Sequence, residues 1–231
     1  MPRQKRVLMA LTSHAIKGDT GLPTGVWLEE LAAPYYAFIE AGLNVDIVSI
    51  AGGEVPLDPA SVHGEQPRSV GRFLADAKAM ASVEASKAIT EIDPAAYDAV
   101  FLPGGHGTIW DLPTSDTLAS VLNHAWTSGK VVAAVCHGPS GLVAAKDAQG
   151  LPIISGRRVT GFTNSEEEAV GLTATVPFLL ESRLRELGGH YQRGADFQAF
   201  AIRDGNLVTG QNPASSEETA RLTIEALSSD R

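Results

Sequence analysis

Short runs of apolar residues, each bounded by polar or glycine-containing segments, recur along the chain and predict buried β-strands. The runs that predict strands are Val7–Thr12, Val45–Ile50, Tyr97–Leu102, Val131–Val135, Val159–Thr163, Phe197–Arg203 and Leu207–Thr209. Between them, apolar positions at helical spacing predict helices over Trp27–Ala41, Arg72–Lys87, Leu118–Thr127, Glu166–Leu187, with a break near Pro177, and Ser216–Leu227. This alternation predicts an α/β protein with a mostly parallel central sheet and helices on both faces.

Turn-forming residues set the connections between these elements. Gly42 ends the first predicted helix, within which Pro34 predicts a kink. The segment 204–206 separates two strand-like runs and predicts a tight hairpin, because Gly and Asn suit its backbone. The sequence shows no internal repeat and no linker, so we predict a single domain over residues 1–231.

The composition narrows the classes of protein to which the chain can belong. Of its 231 residues, 44% are hydrophobic and 19% are charged, which predicts a folded chain with a substantial core. The net charge of −9 argues against binding to nucleic acid or to an anionic membrane surface. The sequence has neither a signal peptide nor an apolar run of about 18 residues, so we expect a cytoplasmic protein.

Cys136 is the only cysteine, which excludes an intramolecular disulfide and a cysteine-cluster metal site. It follows the apolar run Val131–Val135 and precedes His137, Gly138 and Pro139. This order is typical of a nucleophile elbow, a sharp turn between a buried strand and a helix. A helix N-terminus beside the sulfur favours the thiolate and can hold an oxyanion. The alternative from these residues alone is an inert cysteine in the sheet core.

Polar and reactive residues follow several of the predicted strands, at the edge of the sheet where ligands bind in such folds. These segments are Ser13-His14, Gly104-Gly105-His106-Gly107, Cys136-His137 and Gly161–Glu168. The N–H groups of Gly104, Gly105 and His137 can form an oxyanion hole. A plain tight turn is the alternative for the glycine pair. The side chains of His14 and His106 are expected to line the pocket.

A histidine that acts as a general base needs a carboxylate to orient it. The acids at a strand end that can serve His137 are Glu166, Glu167 and Glu168. Three consecutive glutamates also suit the exposed first turn of a helix, so the residues alone leave both interpretations open. Glu29 and Glu30 begin an earlier predicted helix, where acidic residues are common. The spacing of the His, Asp and Glu residues does not indicate a metal site.

Six segments, in order over almost the whole chain, make the sequence similar to a known family. They are Thr24–Pro34, Gly52-Gly53 with Pro56–Pro59, Pro103–Gly107, Ala133–Pro139, Thr160–Glu168 and Thr209–Ser215. The chain resembles the PfpI-like branch of the class I glutamine amidotransferase-like superfamily, and within it the small heat-shock group with glyoxalase III activity. The resemblance implies a flavodoxin-like sandwich.

The resemblance also assigns roles to individual residues. In this family an acid of the first helix hydrogen-bonds the elbow sulfur, a role that falls to Glu30, with Glu29 as the alternative. The acid beside His137 is assigned to Glu167, and both neighbouring glutamates stay open. The implied catalytic residues are Cys136, His137, Glu30 and Glu167, and the implied oxyanion and substrate-binding residues are Gly104, Gly105 and His106.

The activity implied by the resemblance is that of a glutathione-independent glyoxalase III, also described as a D-lactate dehydratase. Such an enzyme converts methylglyoxal to lactate without a metal or an organic cofactor. The expected partners are a small dicarbonyl substrate and a second copy of the chain in a homodimer. A cysteine peptidase or amidase using Cys136 and His137, a stress chaperone and a protein deglycase stay open as alternatives. A glutamine amidotransferase is not expected, since segment 205–213 lacks the His-x-Glu pair of those enzymes.

Overall fold

The strands form two sheets in the computed structural model, which describes residues 3–229. The strands are β1 (Arg6–Leu11), β2 (Asn44–Ser49), β3 (Lys87–Ala88), β4 (Ala99–Leu102), β5 (Val131–Val135), β6 (Arg158–Val159), β7 (His190–Tyr191), β8 (Ala201–Asp204) and β9 (Leu207–Gly210). Seven of them form one sheet in the order β3-β2-β1-β4-β5-β9-β8, and β6 pairs with β7. All pairs are parallel except β8–β9. The order of the central strands, β2-β1-β4-β5-β9, is that of a flavodoxin-like sheet and confirms the predicted fold class.

Burial explains the uniform apolar sequence of the middle strands. Every residue of β4 and β5 is buried, because both faces of the sheet are covered. β1 lies between β2 and β4, with Leu8 paired to Asp46 on one side and to Val100 on the other. Since these strands are parallel, the carboxyl ends of β1, β4 and β5 meet at one edge of the sheet, where the predicted site residues lie.

Helices pack around the central sheet. They are α1 (Leu28–Glu40), α2 (Arg68–Ala75), α3 (Ala77–Glu84), α4 (Thr108–Asp111), α5 (Asp116–Thr127), α6 (Asn164–Ala169), α7 (Leu180–Glu186) and α8 (Ser216–Ser229). α1 packs against α2 and α8, α8 packs on β5 and β9, and α5 packs on β4 and β5. Phe38 of α1 meets Phe101 of β4 edge to face in the core, with ring centroids 5.4 Å apart. Within residues 3–229, we find no helix that combines the length and the apolar character needed to cross a bilayer.

Two of the predicted helices are each divided into shorter ones. The helix predicted over Arg72–Lys87 is wrong, because Asp76 leaves the helical path between α2 and α3 and caps α3 by accepting two backbone N–H groups. The helix predicted over Glu166–Leu187, with its break near Pro177, is interrupted over a longer segment than predicted. Gly171 takes a left-handed φ of 73° just beyond α6 and ends that helix, and α7 begins only after Pro177.

Two predicted strands are shorter than expected. The strand predicted over Val159–Thr163 is only the two-residue β6, because Thr160 donates its N–H to the side chain of Thr209 at 2.9 Å. The strand predicted over Phe197–Arg203 begins only at β8. Phe197 has a φ of 57°, a left-handed conformation that does not fit a strand. The predicted hairpin between β8 and β9 is confirmed.

Candidate active site

Cys136 lies at a sharp turn between β5 and a short 3₁₀-helix, Gly138–Val143. Its φ is 59°, a left-handed conformation that residues other than glycine rarely adopt. Such a conformation costs about 1–2 kcal/mol and persists only where the surrounding structure fixes it. The Cys136 N–H donates to the carbonyl of Gly210 at 3.0 Å, which ties the turn to the end of β9. The strand, turn and helix of the predicted elbow are therefore present.

Glycines allow the end of β4 to approach this elbow closely. A Cβ atom on Gly104 would lie 2.6 Å from Glu30 Oε2 and 2.7 Å from the backbone nitrogen of His137. A Cβ atom on Gly138 would lie 2.1 Å from the carbonyl oxygen of Leu102. Neither atom can be accommodated unless the backbone moves, so the packing of the site requires glycine at both positions.

His137 connects the sulfur to a carboxylate. Its Nδ1 lies 3.4 Å from Cys136 Sγ, and its Nε2 lies 2.7 Å from Glu167 Oε2. Because an ionised carboxylate only accepts hydrogen bonds, Nε2 carries the ring proton and Nδ1 is left to accept a proton from the thiol. Both His137 and Glu167 are buried. The arrangement is that of a nucleophile, a base and an acid that orients the base.

Glu167 also binds a second histidine. His106 Nε2 lies 2.9 Å from Glu167 Oε1, and the rings of His106 and His137 have centroids 4.1 Å apart. Burial alone would raise the pKa of Glu167, but the electrostatic attraction of His137 and the hydrogen bonds from both histidines outweigh it and lower the pKa to about 2. Burial and the neighbouring His137 lower the pKa of His106 to about 4. Near neutral pH, His106 is therefore neutral and Glu167 is ionised.

The three consecutive glutamates occupy different environments. Thr163 and Glu166 form a capping box at the start of α6, in which Thr163 Oγ1 accepts from the Glu166 N–H at 3.0 Å and Glu166 Oε2 accepts from the Thr163 N–H at 2.9 Å. This cap buries Glu166 and directs the next residue, Glu167, to the histidines. Glu168 is exposed. The geometry thus selects Glu167 from the three residues that the sequence alone left open.

Glu30 lies in the first turn of α1 and is fully buried. Its Oε2 accepts the Gly104 N–H at 2.8 Å, whereas Oε1 has no hydrogen-bond partner with ordinary geometry within residues 3–229. Burial raises the pKa of Glu30 well above its usual range, and the Cys136 side chain and the Gly104 N–H offset this only in part. Burial therefore favours the protonated form of the carboxyl, whose Oε1 is unpartnered among residues 3–229.

The thiol of Cys136 holds its proton in the free protein. Burial raises its pKa well above the usual range, the neighbouring Glu30 carboxyl raises it further, and the Gly105 N–H acts in the other direction. This corrects the expectation that a helix N-terminus keeps the sulfur ionised, because the following helix is a short 3₁₀ segment and burial outweighs its dipole. The proton must leave as the sulfur attacks, and His137 Nδ1 is placed to accept it.

The N–H groups predicted to form an oxyanion hole are not equivalent. The Gly104 N–H is already bound by Glu30, so Gly104 is withdrawn from the predicted set. The Gly105 N–H hydrogen-bonds toward the sulfur, from a backbone with a φ of 97° that suits glycine. The N–H of His137 follows the sulfur directly in the chain. Gly105 and His137 therefore stay as the predicted donors to an oxyanion.

A cavity of about 160 Å³ opens onto the sulfur. Its walls are formed by Trp27, Glu30, Gly105, His106, Cys136, Phe162, Val170, Phe197 and Pro213. Apolar side chains supply most of the wall, and sequence reasoning missed them because nothing in their spacing marks them as neighbours. The prediction for His14 is wrong, because its ring stacks on Trp110 at 5.1 Å and does not line this cavity. Glu29 is only partly buried and is also outside the cavity wall.

Three of the site residues also form a group that a metal ion could use. Donor atoms of His106, His137 and Glu167 all lie within 4.8 Å of one another, a grouping that their sequence spacing does not indicate. Two imidazoles and a carboxylate suit zinc. Both Nε2 atoms, however, already engage Glu167, and a metal would displace the hydrogen bond that orients His137. We therefore assign these residues to acid–base chemistry.

Comparisons with known proteins show the family and the fold of the chain. A model of the DJ-1/PfpI family matches residues 22–226. The glutathione-independent glyoxalase HSP31 of Saccharomyces cerevisiae is 33% identical over 237 residues, which cover 96% of this chain and 98% of that protein. The crystal structure of glyoxalase III from Candida albicans superposes with a TM-score of 0.88 at 29% identity, over 96% of this chain and 97% of that one. The X-ray structure of Rapid Encystment Protein 24 kDa from Francisella tularensis has a TM-score of 0.94 at 40% identity, over 97% and 99% of the two chains.

Proposed function

Because the chain belongs to the DJ-1/PfpI family, and relatives of matching length are named as glutathione-independent glyoxalases, we propose that it is such a glyoxalase. The reaction converts methylglyoxal and one molecule of water to lactate through a hemithioacetal on the sulfur. The side chains that perform it are Cys136, His137, Glu30 and Glu167. The mechanism requires neither a metal nor an organic cofactor.

The observation that carries this proposal is a buried carboxyl with an unpartnered oxygen in the same cavity as the nucleophile. Glu30 is buried, its Oε1 has no partner among residues 3–229, and it lines the same cavity as Cys136. Conversion of a ketoaldehyde to a hydroxy acid moves a proton from C1 to C2, which needs a group that can give and take a proton. A carboxyl whose pKa is raised by burial is suited to that role.

The reaction begins with attack of the sulfur on the aldehyde carbon, C1. His137 Nδ1 removes the thiol proton as the C–S bond forms, and Glu167 stabilises the imidazolium that results. Glu30 gives its proton to the aldehyde oxygen, while the N–H groups of Gly105 and His137 hold that oxygen as charge develops. The product is a hemithioacetal, and Glu30 is left as a carboxylate.

Glu30 then moves a proton between the two carbons. Its carboxylate removes the hydrogen from C1, and the ketone oxygen on C2 takes the proton from His137, which gives an enediol. Glu30 next gives its proton to C2, while the C1 hydroxyl gives its own proton to His137 and the C1 carbonyl forms. The hemithioacetal becomes a thioester of lactate, with C1 oxidised and C2 reduced inside one molecule.

Water completes the cycle. The Glu30 carboxylate takes a proton from water as the water oxygen attacks the thioester carbon. The C–S bond breaks, and the sulfur takes its proton from His137. Lactic acid leaves, and the thiol, the imidazole and the carboxyl return to their starting protonation states.

The size of the cavity favours a small substrate over a peptide. Its volume of about 160 Å³ is well below the roughly 300–1,000 Å³ of sites that hold drug-sized ligands. A peptide segment would have to displace aromatic side chains of the wall, whereas a small dicarbonyl would not. This supports the glyoxalase over the peptidase, amidase and deglycase functions that the elbow alone left open.

An assay on two adjacent glutamates tests the proposed proton transfer. Wild-type protein, Glu30→Gln and Glu29→Gln are each incubated with methylglyoxal, without glutathione, and lactate is measured. We expect Glu30→Gln to lose about 100-fold or more of kcat/KM, because an amide cannot take up the C1 proton. Glu29→Gln serves as the control and should keep wild-type activity, since Glu29 lies outside the cavity. Full activity of Glu30→Gln would contradict the role of Glu30, and no lactate from the wild type would contradict the proposed function.

The proposal also includes a homodimer and a cytoplasmic location, as the family resemblance implies. The net charge of −9 supports a small neutral substrate and not nucleic acid. Light scattering of the purified protein and fractionation of the source cells test these two points.

A further inference from the structure

Phe197 occupies an unusual position at the wall of the Cys136 cavity. Its φ is 57°, although it has a large side chain, and its side chain is among the exposed large hydrophobic groups of the protein, at 45% of its full accessibility. A left-handed backbone at a bulky residue persists only where neighbouring groups fix it. An exposed ring gains little from burial, so core packing does not account for this conformation.

A buried carboxylate holds the Phe197 backbone in place. Glu166 Oε1 accepts the Phe197 N–H at 2.7 Å, and the same oxygen accepts side-chain N–H groups of Gln211 at 3.0 Å and Asn212 at 2.8 Å. With its capping bond from Thr163, Glu166 receives four hydrogen bonds while fully buried. The carboxylate therefore joins the start of α6, the Phe197 turn and the loop after β9.

The two amides that share Glu166 also hold the turn directly. Gln211 Oε1 accepts the Gly194 N–H at 2.8 Å, and Asn212 Nδ2 donates to the Gln198 carbonyl at 2.9 Å. The turn is thus fixed on both sides of Phe197. Neither amide takes part in the proposed chemistry.

The ring of Phe197 completes the aromatic side of the cavity. Its centroid lies 6.3 Å from that of Phe162 in an edge-to-face arrangement, and Phe162 lies 4.5 Å from the His137 ring. Phe162 and Phe197 both line the cavity, which leaves a small volume beside the sulfur. A substituent on the substrate larger than a methyl group would meet this wall.

We propose that Phe197 determines the size of substrate that the enzyme accepts, and that Glu166 is the positioning residue that holds it there. The proposal rests on the proposed glyoxalase function for the class of substrate, an α-ketoaldehyde. The ring limits the group carried by the ketone carbon, so that a methyl group is accepted and an aryl group is rejected. A variant that lacks the ring, or in which the Phe197 backbone is no longer held by Glu166, accepts a larger group on the ketone carbon.

The first test compares two ketoaldehydes that differ only in this group. The value of kcat/KM is measured for phenylglyoxal and for methylglyoxal, and their ratio is taken for wild type, Phe197→Ala, Glu166→Gln and Leu151→Ala. The ratio does not depend on how much of a variant is folded. We expect the ratio to rise about tenfold or more in Phe197→Ala and to rise in Glu166→Gln, because Gln supplies one acceptor oxygen where Glu supplies two. Leu151→Ala, which removes another exposed apolar side chain, should leave the ratio unchanged.

A second test does not need glyoxalase activity. The single cysteine is alkylated with iodoacetamide and with 2-iodo-N-phenylacetamide, which carry the same reactive group, and the ratio of the two rates is measured. The alkylation rate with the phenyl reagent, relative to that with iodoacetamide, should rise in Phe197→Ala and Glu166→Gln but not in Leu151→Ala. An unchanged ratio in Phe197→Ala would overturn the inference even where the wild type forms lactate. A raised ratio would support it even if lactate formation failed, so the two proposals can be separated.

Discussion

At the scale of single residues, the site depends on contacts that leave no space for extra atoms. Gly104 is one of these positions, because a Cβ atom there would meet Glu30, His137 and Val135 within 2.7 Å. The same glycine donates its N–H to the carboxyl that we assign to proton transfer. Geometry at Gly104 therefore controls both packing and the position of Glu30.

Gly104→Ala is expected to lower the free energy of unfolding by about 1–3 kcal/mol, as overpacking does, and to reduce lactate formation by displacing Glu30. Gly71→Ala is the matched control. Gly71 lies within α2, where an added Cβ atom would have open space for 4 Å around it among residues 3–229, so alanine should stabilise the helix by up to about 1 kcal/mol. Denaturant titration with an activity assay on both variants gives the comparison, and a Gly104→Ala protein with wild-type stability and activity would contradict the packing argument.

His106 gives a prediction about pH. Its pKa falls from 6.5 to about 4 on folding, so between these values the unfolded chain binds a proton that the folded protein does not. Stability is therefore lost as the pH falls from 6.5 towards 4. From about pH 7 to about pH 5, the wild type should lose about 2 kcal/mol more unfolding free energy than His106→Asn. Parallel pH profiles of the two proteins in denaturant titrations would show that His106 is not held neutral by its surroundings.

The sequence identifies the reactive residues better than their protonation states. The elbow at Cys136 follows from a local pattern, because strand, turn and helix are adjacent in the chain. Glu167 could be chosen over Glu166 and Glu168 only from the capping box that orients α6. The contact of His106 with Glu167 joins positions 61 residues apart, and burial of Cys136 is a property of the folded core. The spacing of residues along the chain indicates neither the contact nor the burial.

At the scale of elements, α6 is a short helix that carries Glu167, the acid proposed to orient His137. Its capping box fixes the first turn, and Glu167 follows Glu166 directly into the site. The start of α6 thus has a functional role beyond helix stability, because rotation of this turn would move the carboxylate away from His137.

Removal of two N-caps, one at a time, separates the effect of α6 on stability from its effect on the position of Glu167. Thr163→Ala and Ser115→Ala each delete a side chain that caps a helix, α6 and α5 respectively, and each should lower stability by about 1 kcal/mol. Only Thr163→Ala should also reduce kcat for lactate formation, and Thr163→Ser should restore it. Equal loss of kcat in Thr163→Ala and Ser115→Ala would indicate that both changes act through stability alone. The orientation of α6 would then have no separate effect on the reaction.

The central strands could be predicted because burial on both faces imposes continuous apolar runs, as in β4 and β5. The helices were harder to predict where a single residue interrupts a periodic pattern. Asp76 divides α2 from α3 by capping the second, and Gly171 ends α6 well before the apolar pattern stops. In the small sheet, β6 was predicted too long and β7 was missed, because two-residue strands carry no periodicity.

At the scale of the whole molecule, the site is assembled at one edge of the seven-stranded sheet, with Glu167 supplied by α6, which follows β6 of the smaller sheet. Cys136 follows β5, Gly104 and Gly105 follow β4, and Glu30 reaches them from α1, which packs against α8. The single domain over residues 1–231 stays a prediction.

A single domain should unfold in one cooperative step. Far-ultraviolet circular dichroism reports the helices, and tryptophan fluorescence reports Trp27 at the cavity and Trp126 on α5. We expect the two signals to change together over one range of denaturant concentration, at a protein concentration where light scattering gives one oligomeric state. Two separated transitions would contradict the single-domain prediction.

In the proposed reaction, the Cys136 sulfur bonds to methylglyoxal, and lactate forms only through this bond. The most direct measurement is lactate formation from methylglyoxal in the absence of glutathione, with chiral analysis, by the wild type and by Cys136→Ala. We expect one enantiomer of lactate in excess from the wild type, because the cavity is chiral. We expect Cys136→Ala to form no lactate above the uncatalysed background. Undiminished turnover by Cys136→Ala would contradict the proposed reaction.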